Sequence, residues 1–215
     1  MEKKLIEQQA EKINCSYLKH IIDIVFASLF LVLVFSWLYP LLAIIIKIDS
    51  KGPALFVQDR VGLNGKIFKF YKLRTLKNNE PSSYKESILT SETINVTSFG
   101  SFLRKLNLDE IPQFINVFLG DMSIVGPRPH AIPFHEAYAT YINNISERLL
   151  TKPGITGLAQ VKGFRGDVPD AELNKIRTTR RVELDIEYIK TWSLQKDINI
   201  MFTTMLQMLG LTKKL

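Results

Sequence analysis

Residues 24–46, IVFASLFLVLVFSWLYPLLAIII, form a run of 23 positions without a charged side chain, bracketed by Asp23 and Lys47. A straight helix needs about 20 apolar residues to cross a bilayer, so this run predicts a membrane-embedded helix over residues 20–47. The run is longer than the apolar core of a secretory signal, and no small-residue cleavage site follows it. The remaining chain must therefore fold beside a membrane segment.

Two features of this segment leave its topology open. Pro40 lies inside the run, where it removes a backbone hydrogen bond, and Trp37 and Tyr39 belong to residue types that prefer the membrane interface. Residues 1–20 and residues 47–66 each carry four basic side chains, so the positive-inside rule finds no asymmetry. The segment is either an ordinary span with a tolerated proline or a re-entrant helix that breaks at Pro40 and returns to the cytoplasmic side.

The composition limits the possible partners of the chain. A length of 215 residues suits one domain, and a net charge of +7 favours anionic partners such as nucleic acid, an acidic membrane or phosphorylated substrates. We expect no nucleic-acid partner, because the sequence lacks an aromatic stacking platform and a groove-reading element. The single cysteine, Cys15, excludes an internal disulfide, and the three histidines show no zinc-ligand spacing with it.

A basic β-hairpin is predicted directly after the membrane segment. The stretch PALFVQDRVGLNGKIFKFYKLRT alternates apolar and polar residues on both sides of the turn-forming residues Gly62, Asn64 and Gly65. The turn is not a P-loop, because its spacing is wrong. Its basic residues form either a solvated face or a phosphate site, and they are Arg60, Lys66, Lys69, Lys72 and Arg74.

The rest of the chain reads mainly as helices joined by polar loops. Short helices are predicted over residues 98–106 and 109–118, a longer helical region over 131–150, and a charged helix over 170–192. A mobile loop is predicted over residues 78–98, a rigid loop over 120–130 and a glycine-rich loop over 152–167. Apolar residues in 198–211 repeat on one helical face, which is typical of either core packing or an interfacial helix.

Two adjacent acids in the stretch NLDEIPQF, Asp109 and Glu110, allow two interpretations. The first is helix capping, in which Asn107 is the N-cap and Glu110 follows three residues later. The second is chemistry, since neighbouring carboxylates on a helix diverge by about 100° and can take different roles. A nearby arginine, Arg128, stands between two prolines that restrict the backbone, and arginine binds phosphate bidentately.

Four segments of the sequence together resemble the bacterial sugar transferases, the monotopic polyprenyl-phosphate phosphoglycosyl transferases. They are SKGPALFVQDRVGLNGKIFKFYKLRT, FLRKLNLDEIPQFINVFLGDMSIVGPRPH, KPGITGLAQV and DIEYIKTWSL, and the resemblance extends from Asp23 to Asp197. Long members of that family carry additional N-terminal spans, so this chain is expected to represent the catalytic unit. The resemblance favours the re-entrant helix with a break at Pro40, and thus an inner-membrane protein with its catalytic domain facing the cytoplasm.

The resemblance also implies a reaction. Such enzymes move a sugar-1-phosphate from a UDP-sugar to undecaprenyl phosphate and release UMP, which begins an exopolysaccharide, capsule or other glycan. They use Mg²⁺ and a covalent aspartyl intermediate, which implies Asp109 as nucleophile and both Asp109 and Glu110 as metal ligands. The stretch GPRPHA is similar to glucose-type members, so UDP-glucose is the expected donor. The alternatives are a UDP-galactose or UDP-N-acetyl-sugar donor, or a non-catalytic membrane-tethered binding protein.

These considerations predict an α+β fold that is mainly helical, with a re-entrant membrane helix, a small β-hairpin and interfacial amphipathic helices. Residues 1–19 are expected to be a cytoplasmic tail, 20–47 the membrane helix and 48–215 the catalytic domain. The residues expected to bind substrate are Arg60, Lys72, Arg74, Arg104, Gln113, Pro127, Arg128, Pro129, Gln160 and Arg165. The oligomeric state is left open.

Overall fold

The computed structural model describes residues 2–77 and 96–212, and within these ranges the fold is mainly helical, as the sequence predicted, and contains two small sheets. The helices are α1 (Glu2–Asn14), α2 (Tyr17–Phe30), α3 (Ser36–Asp49), α4 (Ser98–Lys105), α5 (Gln113–Phe118), α6 (Ile132–Ala139), α7 (Leu158–Val161), α8 (Ala171–Lys190) and α9 (Leu194–Met208). The strands are β1 (Leu55–Val61), β2 (Ile67–Leu73), β3 (Ser123–Val125) and β4 (Gly154–Thr156). Residues 78–95, which make up most of the predicted mobile loop, lie outside the described ranges.

The membrane segment is one long helix. A π-helical stretch, Leu31–Phe35, joins α2 to α3, and together they form the 33-residue segment Tyr17–Asp49. Among the described residues it is the one helix long and apolar enough to cross a membrane, and most of its apolar surface is exposed. The predicted break at Pro40 is corrected, because Pro40 lies inside α3 and the departure from α-helical geometry is at Leu31–Phe35.

Side-chain donors support the backbone of this irregular stretch. Proline has no N–H group, so Pro40 cannot donate to the carbonyl of Ser36 in the preceding turn. The Ser36 hydroxyl donates to the Val32 carbonyl at 2.6 Å, and the Trp37 indole N–H donates to the Leu33 carbonyl at 2.8 Å. Because an unsatisfied carbonyl in lipid costs several kcal/mol, these donors stabilise the π-helical stretch that precedes the proline.

Both halves of the membrane helix pack against the same domain. In α2, the Phe30 ring stacks on Phe114 of α5 with centroids 4.0 Å apart. In α3, Leu42 and Ile46 are buried in a cluster with residues of β2 and α4, and Leu38 packs against that cluster. At most the seven residues between Phe30 and Leu38 can therefore leave the surface of the domain.

The predicted hairpin is confirmed. β1 and β2 are antiparallel, with Leu55 opposite Leu73 and Val61 opposite Ile67. Asn64 takes a φ of 53° in the turn between them, a left-handed conformation that asparagine tolerates better than most residues. A bridge from Arg60 to Ala131 connects the hairpin to the chain that follows the Pro-Arg-Pro sequence.

A second, parallel sheet corrects two loop predictions. β3 lies in the predicted rigid loop and β4 in the predicted glycine-rich loop, which also contains α7, and Val125 pairs with Thr156. The two backbones touch, because a Cβ atom on Gly154 would lie 2.1 Å from the nitrogen of Gly126. The glycines thus permit close strand contact as well as a loop.

The N-terminal segment is also corrected. The sequence predicted a tail over residues 1–19, but α1 buries Ile6, Ala10 and Ile13 in the main hydrophobic core, where it packs against α8. The helical region predicted over 131–150 is divided into α6 and a 3₁₀ segment, Ile145–Leu150. The long helices predicted near the C-terminus are confirmed as α8 and α9.

Candidate active site

The two adjacent acids lie on a 3₁₀ turn, Leu108–Glu110, between α4 and α5. Asn107 precedes them in a left-handed conformation with a φ of 57°, and its side chain makes no capping hydrogen bond within the described residues. The capping interpretation of Asn107 is therefore wrong. Instead, Asp109 and Glu110 are both more than nine-tenths buried and line one cleft.

Glu110 is held by three cationic side chains from three different parts of the chain. Arg128 donates to both carboxylate oxygens, from Nη1 to Oε2 at 3.2 Å and from Nη2 to Oε1. Lys72 of β2 lies 3.0 Å from Oε1, and Arg165 from the loop before α8 lies 2.6 Å from Oε2. Each oxygen of Glu110 thus already accepts charge-assisted hydrogen bonds.

These contacts determine the ionisation of the site. Burial opposes ionisation of Glu110, but the charges of Arg128, Lys72 and Arg165 outweigh it and hold the pKa of Glu110 well below its usual value. Burial lowers the pKa of Lys72, and the Glu110 carboxylate works against that change by favouring the charged ammonium. Glu110 is consequently an ionised counterion for the cluster at neutral pH.

Asp109 has a different environment from its neighbour. Its Oδ2 atom lies 3.8 Å from Lys72 Nζ, which is the ion pair it makes within the described residues. Its side chain lines the cleft, where Arg128 and Arg165 donate to Glu110. The two carboxylates therefore differ in their contacts: three cations hold Glu110, and Asp109 faces the cleft.

The cleft has a volume of about 800 Å³ and a strongly basic wall. Among the described residues, seven cationic and three acidic side chains line it, so the wall attracts anions. The cationic residues are Arg60, Lys72, Arg74, Arg104, Arg128, Arg165 and Arg181. Such a cleft can hold phosphate groups beside the Asp109 carboxylate.

Several predicted substrate residues do line this cleft, with supporting contacts of their own. Arg60 donates to the Pro129 carbonyl and lies over the Phe70 ring, 4.3 Å from its centroid, so it fixes the Pro-Arg-Pro backbone. Arg104 donates through Nε to the Thr75 hydroxyl at 2.9 Å. These contacts orient guanidinium groups along the wall next to the acid pair.

The four remaining predicted substrate residues differ in position, because Arg74 lines the cleft and the other three lie outside it. The guanidinium of Arg74 donates to backbone carbonyls at the end of the membrane helix, including Ile46 at 3.2 Å and Lys51 at 2.7 Å. The other three do not line the cleft formed by the described residues, and they are Gln113, Pro127 and Gln160. Gln113 is fully buried, Gln160 donates to the Ile155 carbonyl, and the Pro127 carbonyl accepts from Gly154.

A buried ion pair behind the site was not predicted from the sequence. Arg148 donates through Nε and Nη2 to Asp185 of α8 at 2.9 and 2.7 Å, and Nη2 also donates to the Arg128 carbonyl. Both side chains are almost fully buried, so this pair fixes the backbone that presents Arg128. Asp185 begins the segment DIEYIKTWSL, but Arg148 lies outside the four segments that resemble the family, and nothing local in the sequence pairs the two residues.

The residues present fit a magnesium ion only in part. Within the described ranges no three histidine, cysteine, aspartate or glutamate side chains come together as a metal site. Mg²⁺ needs only one or two carboxylates when substrate phosphates and water complete its octahedron. Asp109 can supply such an oxygen, whereas Glu110 is occupied by its three cations.

The sequence of this chain matches a known family. The family model of the bacterial sugar transferases matches residues 14–210. The chain belongs to this family. The chain is 45% identical over 190 residues to UDP-glucose:undecaprenyl-phosphate glucose-1-phosphate transferase of Escherichia coli (strain K12), and the match covers 87% of this chain and 39% of that protein.

Other relatives of this chain differ in length and in the sugar that their names mention. A protein of Caulobacter vibrioides with the same name is 42% identical over 186 residues, covering 86% of this chain and 67% of that protein. This chain thus spans about two fifths of the length of the E. coli relative and two thirds of the length of the Caulobacter relative. Relatives 36–39% identical are named for galactose and N-acetylgalactosamine.

Proposed function

We propose that this chain transfers a hexose-1-phosphate from a UDP-sugar to undecaprenyl phosphate and releases UMP. The observation that carries the proposal is an Asp109 carboxylate that faces a basic cleft and, within the described residues, pairs with Lys72 at 3.8 Å, beside a Glu110 that three cations already hold. The names of the relatives support the same reaction class. The product begins the assembly of an exopolysaccharide, a capsule or another lipid-linked glycan.

The first step is displacement at the β-phosphorus of the donor. An Asp109 oxygen forms a bond to phosphorus, the bond from phosphorus to the bridging oxygen breaks, and UMP leaves with that electron pair. The guanidinium groups of Arg128 and Arg165 and the ammonium of Lys72 offset the charge that would otherwise repel an anionic nucleophile from a diphosphate.

The second step regenerates the enzyme. A phosphate oxygen of undecaprenyl phosphate attacks the phosphorus of the aspartyl phosphosugar, and the bond to Asp109 breaks with return of the electron pair to its carboxylate. Glu110 keeps its ionised form in both steps and holds the three cations at fixed positions. Its role is therefore to position the cationic groups.

Magnesium supplies additional charge when it is bound. Asp109 and the phosphates of the donor would hold the ion, and Mg²⁺ would neutralise charge that develops on phosphate oxygens. Chelation with EDTA is expected to stop UMP release and added Mg²⁺ to restore it. Unchanged turnover after exhaustive chelation would remove magnesium from the proposal.

The proposed topology is re-entrant, with both ends of the membrane helix on the cytoplasmic face of the inner membrane. At most seven residues lie between the contacts of Phe30 and Leu38, which is about 10 Å of helix, and the hydrocarbon core is about 30 Å thick. Single cysteines at positions 3 and 51, introduced after replacement of Cys15, are expected to resist an impermeant reagent in intact cells. Labelling of position 3 alone would indicate a full span.

The proposed donor is UDP-glucose, because two relatives that are 45% and 42% identical carry glucose in their names. A UMP-release assay with undecaprenyl phosphate and a panel of UDP-sugars tests this choice. Preference for UDP-galactose or an N-acetylated donor would change the sugar and leave the reaction class intact.

The covalent step has a direct test. Protein incubated without lipid, using a donor labelled in the β-phosphate, is expected to retain label on a peptide that contains Asp109. Asp109→Asn should retain none and should transfer nothing to lipid. Full transfer by a folded Asp109→Asn protein would exclude this mechanism.

A further inference from the structure

The cleft extends beyond the acid pair to a second polar end. Its wall is formed by α6, α8 and the loop that precedes α8, and its side chains include His130, Phe134, Tyr138, Asp167 and Arg181. Asp167 is the one acid that lines the cleft besides Asp109 and Glu110, as far as the described residues show. An acid at this position needs an explanation in a cleft that otherwise attracts anions.

Asp167 is held rigidly and keeps acceptor capacity. Its Oδ2 accepts from the Tyr138 hydroxyl at 2.8 Å, and its Oδ1 accepts from Arg181 at 3.0 Å. Each carboxylate oxygen has a second lone-pair site, and about a third of the Asp167 side chain is exposed. The remaining sites therefore face a ligand without a cost for ordering the side chain.

The charge of Asp167 selects the kind of group that fits there. A carboxylate repels phosphate and accepts hydrogen bonds from hydroxyl groups. On the proposed function, the donor carries hydroxyl-rich groups on both sides of its diphosphate, namely the hexose and the ribose. Asp167 accordingly fits one of these two sugars.

His130 is a second polar side chain at the same end of the cleft. It is 6% exposed, its ring meets Tyr138 edge-on at 5.1 Å, and neither ring nitrogen has a hydrogen-bond partner among the described residues. Burial and the nearby charges of Arg148 and Arg181 lower the pKa of His130 well below its usual value. The neutral ring keeps one donor and one acceptor, and both nitrogens are buried in the wall at this end of the cleft.

Stereochemistry separates the hexose from the nucleotide. In an in-line displacement UMP leaves on the side opposite Asp109, and the lipid phosphate must later attack from that vacated side. UMP and the lipid therefore share the end of the cleft nearest the membrane, where Arg74 contacts the end of α3. The hexose stays on the enzyme between the two steps and needs its own site.

We propose that the end of the cleft around Asp167 and His130 is the hexose subsite, in which Asp167 accepts hydrogen bonds from hydroxyl groups of the donor sugar. This inference rests on the proposed function. It makes Asp167 a residue that determines which sugar is accepted, and it assigns Tyr138 and Arg181 the task of holding the carboxylate.

Donors that lack single hydroxyl groups test the subsite. Wild-type protein is expected to lose about 10-fold to 100-fold in kcat/KM with at least one monodeoxy UDP-glucose, because a hydrogen bond to a charged acceptor is lost. Asp167→Asn should lose a similar factor with UDP-glucose and show little further loss with that deoxy donor. Glu172→Gln, an exposed acid in the first turn of α8, is the charge-matched control and should behave as wild type.

The alternatives predict different results. If Asp167 had only a structural role, Asp167→Asn and Tyr138→Phe would each lower kcat equally for all donors. The loss caused by the deoxy donor would then persist in Asp167→Asn. A ribose contact would weaken inhibition by UMP in Asp167→Asn, whereas the hexose subsite leaves it unchanged. Either result overturns the inference.

A binding measurement separates the subsite from the reaction. If wild-type protein turned over no UDP-sugar, the proposed function would fail while the subsite could still be examined. UDP-glucose should raise the melting temperature more than UDP, and Asp167→Asn should abolish the difference. Equal stabilisation of wild-type protein by both nucleotides would rule the subsite out.

Discussion

The two adjacent carboxylates are expected to differ sharply in what they contribute to stability. Glu110→Gln keeps the shape of the side chain but removes the counterion of Lys72, Arg128 and Arg165. Removing one partner of a buried ion cluster costs about 3–5 kcal/mol, because the remaining charges are left uncompensated. For a chain of this length, that cost lowers the melting temperature by roughly 6–20 °C.

Asp109→Asn is expected to leave stability nearly unchanged. The ion pair of Asp109 with Lys72 is long, at 3.8 Å, and Lys72 keeps its closer contact with Glu110 at 3.0 Å. A loss of about 1 kcal/mol or less follows, which shifts the melting temperature by no more than about 4 °C. Transfer of sugar phosphate is nevertheless expected to disappear.

The assay compares thermal unfolding of both variants and wild type in the same detergent, with UMP release measured on the same samples. The expected pattern is a stable, inactive Asp109→Asn and a destabilised Glu110→Gln. Equal melting temperatures for the two variants would refute the reasoning that Glu110 is the counterion of the cluster. An Asp109→Asn protein with wild-type turnover would refute its assignment as the nucleophile.

Three further expectations follow from the same contacts. Folding lowers the pKa of Glu110 below its usual 4.5, so its stabilisation is complete above pH 4.5 and is lost as the pH falls through the folded value. The melting-temperature gap between wild type and Glu110→Gln should accordingly be constant near neutral pH and shrink below pH 4.5. Arg148→Met should cost about 3–5 kcal/mol, and Arg148→Met with Asp185→Leu should recover most of it in urea unfolding. Arg74→Met should cost roughly 3 kcal/mol or more, measured in the same way, because carbonyls at the end of α3 lose their donor.

Local patterns in the sequence were sufficient for the elements that depend on local physics. The uncharged run predicted the membrane helix by its length, and alternation around Asn64 and Gly65 predicted the β1–β2 hairpin. The charged helix α8 begins at the N-cap Asp170, whose side chain accepts from the backbone of Leu173. In each case the information lies within a few residues of the element itself.

The unpredicted features depend on contacts between distant residues. β3 and β4 contain three residues each and pair across about 30 positions, so neither has a periodicity that a sequence window can detect. The roles of Arg74 and Gln160 could not be predicted for the same reason. Both are polar residues inside recognisable motifs, and only the fold shows that they donate to backbone carbonyls, Arg74 while it lines the cleft and Gln160 outside it.

The contacts of Arg74 connect the cleft to the membrane segment. The same guanidinium donates to the Ile46 carbonyl in the last turn of α3 and to the Lys51 carbonyl just after it, and it forms part of the cleft wall. The end of the membrane helix therefore fixes one side of the site. A lipid phosphate that lies at the membrane surface would meet the cleft at this point without leaving the interface. On the proposed reaction, detaching α3 would therefore disturb the acceptor end of the cleft first, and the Glu110 cluster only afterwards.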